Sequence, residues 1–260
     1  VLGTTVNIAG GIKKKIKISD ENNFELDIDD LRATIGQRTK LIYLNSPANP
    51  TGAILKRKML EELADIVVDK NLMILSDEAY EKFIYDDNKH VSPASLNGME
   101  KYVITTQSFS KTFAMSGFRV GYVTASRDVI EGIAKLKICS TLCTPSAFQI
   151  AAIEALNNCW DYVEEMRKEY DRRRKMLLER LNKIPNIRAL RPEGAFYIFT
   201  NIKTTGLKSS EFVKKLLEEA KVLTFPGTEF GPNGEGYIRI SYATAYEKLQ
   251  EAIDRIEKIV

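Results

Sequence analysis

In the stretch ITTQSFSKTFAMSGFRVGY (residues 104–122), a β-rich run leads into a small polar cluster and then into a second apolar run. The first run extends back to Tyr102, giving a strand over Tyr102–Thr106; the second predicts a strand over Val120–Ala125. The cluster between them contains Ser108, Ser110 and Lys111. Upstream the same pattern repeats. Leu72–Leu75 is an apolar run ended by Ser76, Asp77 and Glu78, and Leu41–Asn45 is another, ended by the turn-rich Ser-Pro-Ala-Asn-Pro-Thr-Gly (46–52). Between them, Lys56–Lys70 carries Leu60, Leu63, Ala64, Val67 and Val68 at helical spacing. Unbroken apolar strands separated by a helix predict a parallel sheet buried on both faces. Such sheets bind ligands beyond the carboxyl ends of their strands. The polar clusters at 45–52, 76–80 and 107–111 all stand at those ends.

From about Thr144 the pattern changes. Pro145 after Thr144 is a helix start signal. Helices are predicted over Ser146–Asn157 and from Asp161 to about Lys183, where Pro185 ends the second. That second helix is rich in Arg and Glu three and four apart, so its exposed face should be laced with weak ion pairs. Beyond it come a strand (Ala195–Thr200), a helix capped by Ser209 or Ser210 (Ser209–Ala220), a strand (Gly236–Tyr242) and a helix (Ala245–Ile259). This order predicts a second, α+β unit over 158–260, following a larger one over 1–157.

A length of 260 residues accommodates one large domain and a smaller one. The 38 basic and 35 acidic residues leave a net charge of +3, too balanced to imply a nucleic-acid or membrane-surface partner. The densest basic run, Lys13, Lys14 and Lys15, reads as a solvated edge strand or loop. Three cysteines, Cys139, Cys143 and Cys159, are too few and too scattered for a disulfide framework. Cys139 and Cys143 have the spacing to share a helix face. A metal site would need further ligands, and the one histidine, His90, lies in a polar, loop-like stretch, so no metal is expected. No apolar run is long enough to span a bilayer and no signal peptide is visible, which fits a reducing, cytoplasmic setting. The chain opens Val-Leu-Gly-Thr-Thr-Val, with no Met and no helix or strand start signal, and reads as a piece of a longer protein entered in mid-domain.

Each polar cluster is weak alone. Asn-Pro-Thr-Gly (49–52) reads equally as a turn, Asp77 as an exposed acid past a strand, and Lys111 as one of many surface lysines. Together they are specific. Asn-Pro-Thr-Gly follows one strand and Asp77-x-x-Tyr80 the next. Ser108-x-Ser110-Lys111 comes third, with Arg119 eight residues on in Gly-Phe-Arg-Val-Gly-Tyr, and Arg239 stands far downstream in Tyr-Ile-Arg-Ile-Ser-Tyr-Ala. Over residues 41–52, 72–80, 104–122, 192–199 and 237–243 the chain resembles the class I/II aminotransferases, the aspartate aminotransferase-like branch of the pyridoxal phosphate enzymes of fold type I. The resemblance implies an α/β fold with a mainly parallel, mixed sheet flanked by helices, plus a smaller α+β C-terminal domain. It implies pyridoxal 5'-phosphate as cofactor, amino acids and 2-oxo acids as substrates, and a homodimer with sites at the subunit interface.

The resemblance also implies roles. Lys111 is expected to form a Schiff base with the cofactor and, once displaced by the substrate amine, to act as the general base that moves the Cα proton. Asp77 matches the carboxylate that pairs with the ring nitrogen and keeps it protonated. Tyr80 and Asn49 match donors to the ring's phenolic oxygen. Arg119 and Ser108, with Ser110 as a second hydroxyl, match the phosphate donors. Arg239, with Asn49, matches the residues that grip the substrate α-carboxylate, a fixed fork that orients the reacting Cα–H bond. Asn49–Pro50 is a candidate cis peptide.

Other features stay open. Phe225-Pro226-Gly227 and Phe230-Gly231 fit either an edge of the pocket or plain turns; Tyr197 fits packing or substrate contact; Trp160 fits packing at the domain junction. The Gly-containing phosphate loop and ring-stacking aromatic of the family have no counterpart in these residues, so the chain alone is expected to be poorly active. A lyase of the same fold shares nearly every residue named. A regulator with an aminotransferase-like sensor domain is a third reading.

Overall fold

The computed structural model describes residues 2–260. Two short helices open it, α1 (Leu2–Ile8) and α2 (Ile28–Thr34). Helix α1 shows that the opening residues do start an element, contrary to the sequence reading. In α2, Asp27 caps the N-terminus by accepting from the Asp29 and Asp30 N–H groups.

The first sheet runs β1 (Leu41–Asn45), β2 (Met73–Asp77), β3 (Val103–Ser108) and β4 (Gly121–Thr124) in that spatial order. The first three strands are parallel, with α3 (Arg57–Asp69) crossing between β1 and β2. Strand β4 is antiparallel to β3. The link between them holds only α4 (Phe109–Thr112) and one 3-10 turn, too little to return the chain to the starting end of the sheet. Ile42, Leu44, Ile74 and Val103 pack against Leu60, Leu63, Ile66 and Val67 of α3. The opposite face is more open than expected: Leu41 and Tyr43 of β1 are each 43% exposed. Tyr43 therefore stands on the same face as Asn45, two residues on, and Asn45 pairs with Asp77 across the ladder.

Helices α5 (Arg127–Thr141), α6 (Ser146–Asn158) and α7 (Trp160–Leu181) follow. Helix α5 has no buried residue. It ends at Thr141, so Cys139 and Cys143 do not share a helix face. Trp160 packs edge-to-face on Phe113 while remaining 41% exposed.

The second sheet combines β5 (Arg188–Ala189), β6 (Tyr197–Asn201), β7 (Phe225–Pro226) and β8 (Tyr237–Ser241) in the order β5-β6-β8-β7, all antiparallel. Helices α8 (Ser209–Lys215) and α9 (Tyr246–Glu257) cover it together with α7, and a π-helical turn extends α8 to Ala220. The cap of α8 is Lys208. Ser209 and Ser210, the two expected caps, are the first two helical residues, and the Ser209 hydroxyl accepts from the Gly236 and Tyr237 N–H groups. No helix among the described residues is long and apolar enough to cross a membrane.

Two features lock the sheets together. Tyr80, Phe83 and Tyr85, just past β2, belong to the core under the second sheet. Gly52, at φ +72°, presses on the loop at 192–194, where a Cβ would lie 2.5 Å from the Pro192 Cβ. Its carbonyl accepts from the Glu193 and Gly194 N–H groups. Nearer the N-terminus, Asp20 accepts from Asn201, and Phe24 packs on Phe199 and Tyr237.

Arg174 is fully buried in α7, where it binds Asp86, Asp171 and the Pro192 carbonyl and lies over the Tyr85 ring. Removing it leaves Asp171 with Lys175 alone, Asp86 with Arg191 alone and the Pro192 carbonyl without its donor, so Arg174→Leu should destabilise the fold by about 2 kcal/mol at pH 7. The Arg174 hydrogen bond holds the Asp86 carboxyl below its ordinary pKa. That contribution is present above the unfolded-state value, about 3.9, and is lost as pH falls through the folded one. Urea melts should therefore show the gap between the two proteins closing as pH drops from 7 towards 3; a gap that stays constant would refute the ion-pair account.

Candidate active site

The carboxyl ends of β1, β2 and β3 deliver Asn45, Asp77 and Ser108 side by side. Immediately after β3, Ser108 caps α4, its Oγ accepting from the Ser110 N–H at 3.2 Å. The cap starts the single turn that carries Lys111. The Lys111 ammonium lies 5.7 Å from the centre of the Phe196 ring and forms no ion pair among the described residues.

Asp77 is held from two sides. The Tyr43 phenol donates to Oδ2 at 3.0 Å, and the Ala79 N–H donates to Oδ1 at 3.3 Å. Packing around the Tyr43 phenol and the adjacent carboxylate both push its pKa up, so it stays a donor. Sequence reasoning missed Tyr43; its place two residues before Asn45 was the available signal. The loop after β1 is tied to the end of β2 by Asn45 Nδ2, which donates to the Asp77 carbonyl, and by the Ser46 N–H, which donates to the same oxygen. Asn45 Oδ1 accepts from the Asn49 N–H at 2.8 Å. Asn49–Pro50 is cis, as read from the sequence, and Ser46–Pro47 is cis as well.

Asn49 meets Arg239 from the second sheet: Nη1 donates to the Asn49 Oδ1 at 3.0 Å. With its oxygen engaged, the Asn49 amide presents its NH₂ as the free end. The Arg239 guanidinium lies 4.5, 4.7 and 4.8 Å from the rings of Tyr197, Phe225 and Phe230. The Phe-Pro-Gly segment left open by sequence reading lies against Arg239, because β7 sets Phe225 opposite it on β8. The Nε of Arg239 is buried and unpartnered, and no carboxylate pairs with this cation among the described residues. Burial lowers its pKa from the ordinary arginine value. Tyr80, also buried, shares a 3.0 Å hydrogen bond with Tyr197. Burial and the neighbouring Tyr197 phenol push the Tyr80 pKa well up.

Ser110 stays beside Ser108 through its N–H, whereas Arg119 stands apart from this cluster. Arg119 is exposed, adopts φ +55°, and donates to the Ser116 carbonyl at 2.9 Å. Among the described residues no hydrogen bond or ion pair joins it to Lys111 or Asp77. It is nevertheless kept at the end of β3, since Gly121, two residues on, pairs with Ser108. A Cβ at Gly121 would lie 2.7 Å from the Gln107 carbonyl, so the close approach needs glycine. On the other side of β2, buried Glu78 accepts from Ser76 and Ser92 and bonds His90 Nε2 at 2.8 Å. With Glu81 they form a group of ligand-type atoms within 4.8 Å of one another. The donors on Glu78 are all groups of the protein itself.

A model of the family "Aminotransferase class I and II" matches residues 3–256. The aspartate aminotransferase of Pyrococcus abyssi is 51% identical over 257 residues, which are 98% of this chain and 66% of that protein. The aromatic-amino-acid aminotransferase 2 of Thermococcus litoralis is 48% identical over the same length and the same shares. The solved structure of the aromatic aminotransferase from Pyrococcus horikoshii superposes with a TM-score of 0.95 at 49% identity, over 98% of this chain and 68% of that one. The chain spans about two thirds, 66%, of the length of the curated relatives it matches. Proteins of this kind use pyridoxal 5'-phosphate. The lysine turn after β3, the acid ending β2 and the caged arginine of β8 accord with a match that runs almost from end to end: the chain belongs to the class I and II aminotransferases.

Proposed function

We propose that this chain is the greater part of a pyridoxal phosphate-dependent enzyme that moves an amino group between an α-amino acid and a 2-oxo acid. One observation carries the reading: Arg239 is a half-buried cation whose Nε is buried and unpartnered, with no carboxylate partner among the described residues, held by aromatic walls and Asn49. Burying an unpaired charge is costly, and an arriving carboxylate is the partner that relieves the cost. Both substrates carry a carboxylate beside the reacting carbon.

The residues present fit the cofactor. Asp77 offers a carboxylate, fixed by Tyr43 and Ala79, to a protonated ring nitrogen. Tyr80 and the free NH₂ of Asn49 offer donors to the phenolic oxygen. Ser108 accepts from the Ser110 N–H, so its own proton is free for the phosphate, and Arg119 and Ser110 add charge and a second hydroxyl. When bound, pyridoxal phosphate supplies an aldehyde that takes up the amino group and a ring that accepts electron density. The chain's own part is to hold and to move protons. Arg239 and Asn49 orient the substrate so that its Cα–H bond faces Lys111, and the Lys111 amine accepts and returns that proton.

The same reading divides the chain into a large cofactor-binding unit, 1–157, and a small unit, 158–260. It makes the protein a cytoplasmic homodimer with sites at the subunit interface, supported by three free cysteines and by Leu136, Ile138, Ile150 and Ile153 exposed on α5 and α6. Mixing the cofactor-loaded protein with one amino acid should release one equivalent of the matching 2-oxo acid per site, with no second substrate present. Elimination products in place of the 2-oxo acid would overturn the aminotransferase reading in favour of a lyase.

A further inference from the structure

Tyr197 joins the two halves of the site. It lies on β6, is buried, and brings its hydroxyl to 3.0 Å from that of Tyr80. The two rings meet edge-to-face at 5.7 Å. Neither hydroxyl has another hydrogen-bond partner among the described residues. Each phenol has one proton, so one of the pair donates and the other accepts. If Tyr80 donated, its oxygen would turn only lone pairs towards the pocket, where they would repel an anionic oxygen. If Tyr197 donates, the Tyr80 proton remains free.

We propose that Tyr197 is a positioning residue that donates to Tyr80 and so keeps the single Tyr80 proton directed at the cofactor's anionic phenolic oxygen. This rests on the pyridoxal phosphate reading above. The bond received by Tyr80 polarises its O–H and strengthens the bond it gives. Both phenols are buried and packed, so the pair is fixed before a ligand arrives. The Tyr197 hydroxyl and ring act separately. The hydroxyl addresses Tyr80, while the ring packs on the Arg239 guanidinium at 4.5 Å. Tyr197→Phe removes the first and leaves the second.

The test is a pH titration of the visible absorbance of the cofactor bound to Lys111. The proton between the lysine nitrogen and the phenolic oxygen leaves more readily when donors stabilise that oxygen's charge. Tyr197→Phe should raise the titration midpoint by about half to one pH unit and weaken pyridoxal phosphate binding by roughly three- to ten-fold. Substrate KM should stay within about twofold, because the ring over Arg239 remains. Tyr80→Phe should shift the midpoint further, and adding Tyr197→Phe to Tyr80→Phe should add nothing. An unchanged midpoint in Tyr197→Phe, or a shift that adds in full to that of Tyr80→Phe, overturns the proposal. If the unsubstituted protein shows no such band with pyridoxal phosphate, the cofactor reading itself fails and the inference falls with it.

Discussion

Lys111→Ala is expected to lower the transamination rate by about 10⁴-fold or more while leaving the fold intact. Two roles disappear at once: the amine that carries the cofactor and the base that moves the Cα proton. Proton transfer by a positioned side chain alone contributes about 10²–10⁴-fold. Folding should be spared, because the Lys111 side chain forms no ion pair among the described residues and lies 5.7 Å from the centre of the Phe196 ring. A lone side chain of this kind is worth within about ±0.5 kcal/mol. Borohydride reduction of the loaded protein, followed by peptide mapping, provides the check. The label should fall on the peptide containing Lys111 and vanish in Lys111→Ala, with the melting temperature of the cofactor-free protein unchanged. An added small amine should restore part of the rate by standing in for the base. Labelling that persists in the variant, or falls on another lysine, would remove Lys111 from the chemistry.

The features that made Lys111 readable are local. Strand, polar cluster and helix follow one another within a few residues, so Asp77, Ser108 and Lys111 could each be assigned to a strand end. The parallel ladder then brings those ends together and sets Asn45 beside Asp77, a pairing that the sequence alone does not show. The direction of β4 was not legible, because apolar content is the same for either orientation; the short link from Ser108 decides it. Tyr43 was missed because it lies inside a strand that reads as uniformly apolar. Its role comes from the face it shares with Asn45. Tyr197, Phe225 and Phe230 could not be settled, because their meaning comes from the second sheet, where β8 pairs with both β6 and β7. Sequence spacing carries no record of the 4.5–4.8 Å cage these rings make around Arg239. Local chemistry thus located the cluster at the strand ends, and tertiary packing built the cage around Arg239.

That contrast makes Arg239→Leu the most informative substitution on the substrate side. Losing one partner of a buried, hydrogen-bonded charge pair costs about 2–5 kcal/mol, so kcat/KM should fall by roughly 10³-fold. The protein without substrate should respond in the opposite sense. Arg239 has a buried, orphaned Nε, no carboxylate partner among the described residues and one hydrogen bond to Asn49, so the aromatic rings and this bond offset only part of the desolvation cost of the half-buried cation. Leucine would meet Tyr197, Phe225 and Phe230 as an apolar neighbour. The melting temperature should therefore hold or rise, as when buried charges are replaced by apolar side chains of similar volume. Ligand effects separate this from simple packing. A 2-oxo acid in excess should raise the melting temperature of the unsubstituted protein by preferential binding to the folded state, and leave that of Arg239→Leu where it was. A kcat/KM within about fivefold of the unsubstituted protein would show that Arg239 is not the carboxylate clamp. A clear fall in melting temperature would show that the cation supports the fold, and that its missing counter-charge does not belong to a substrate.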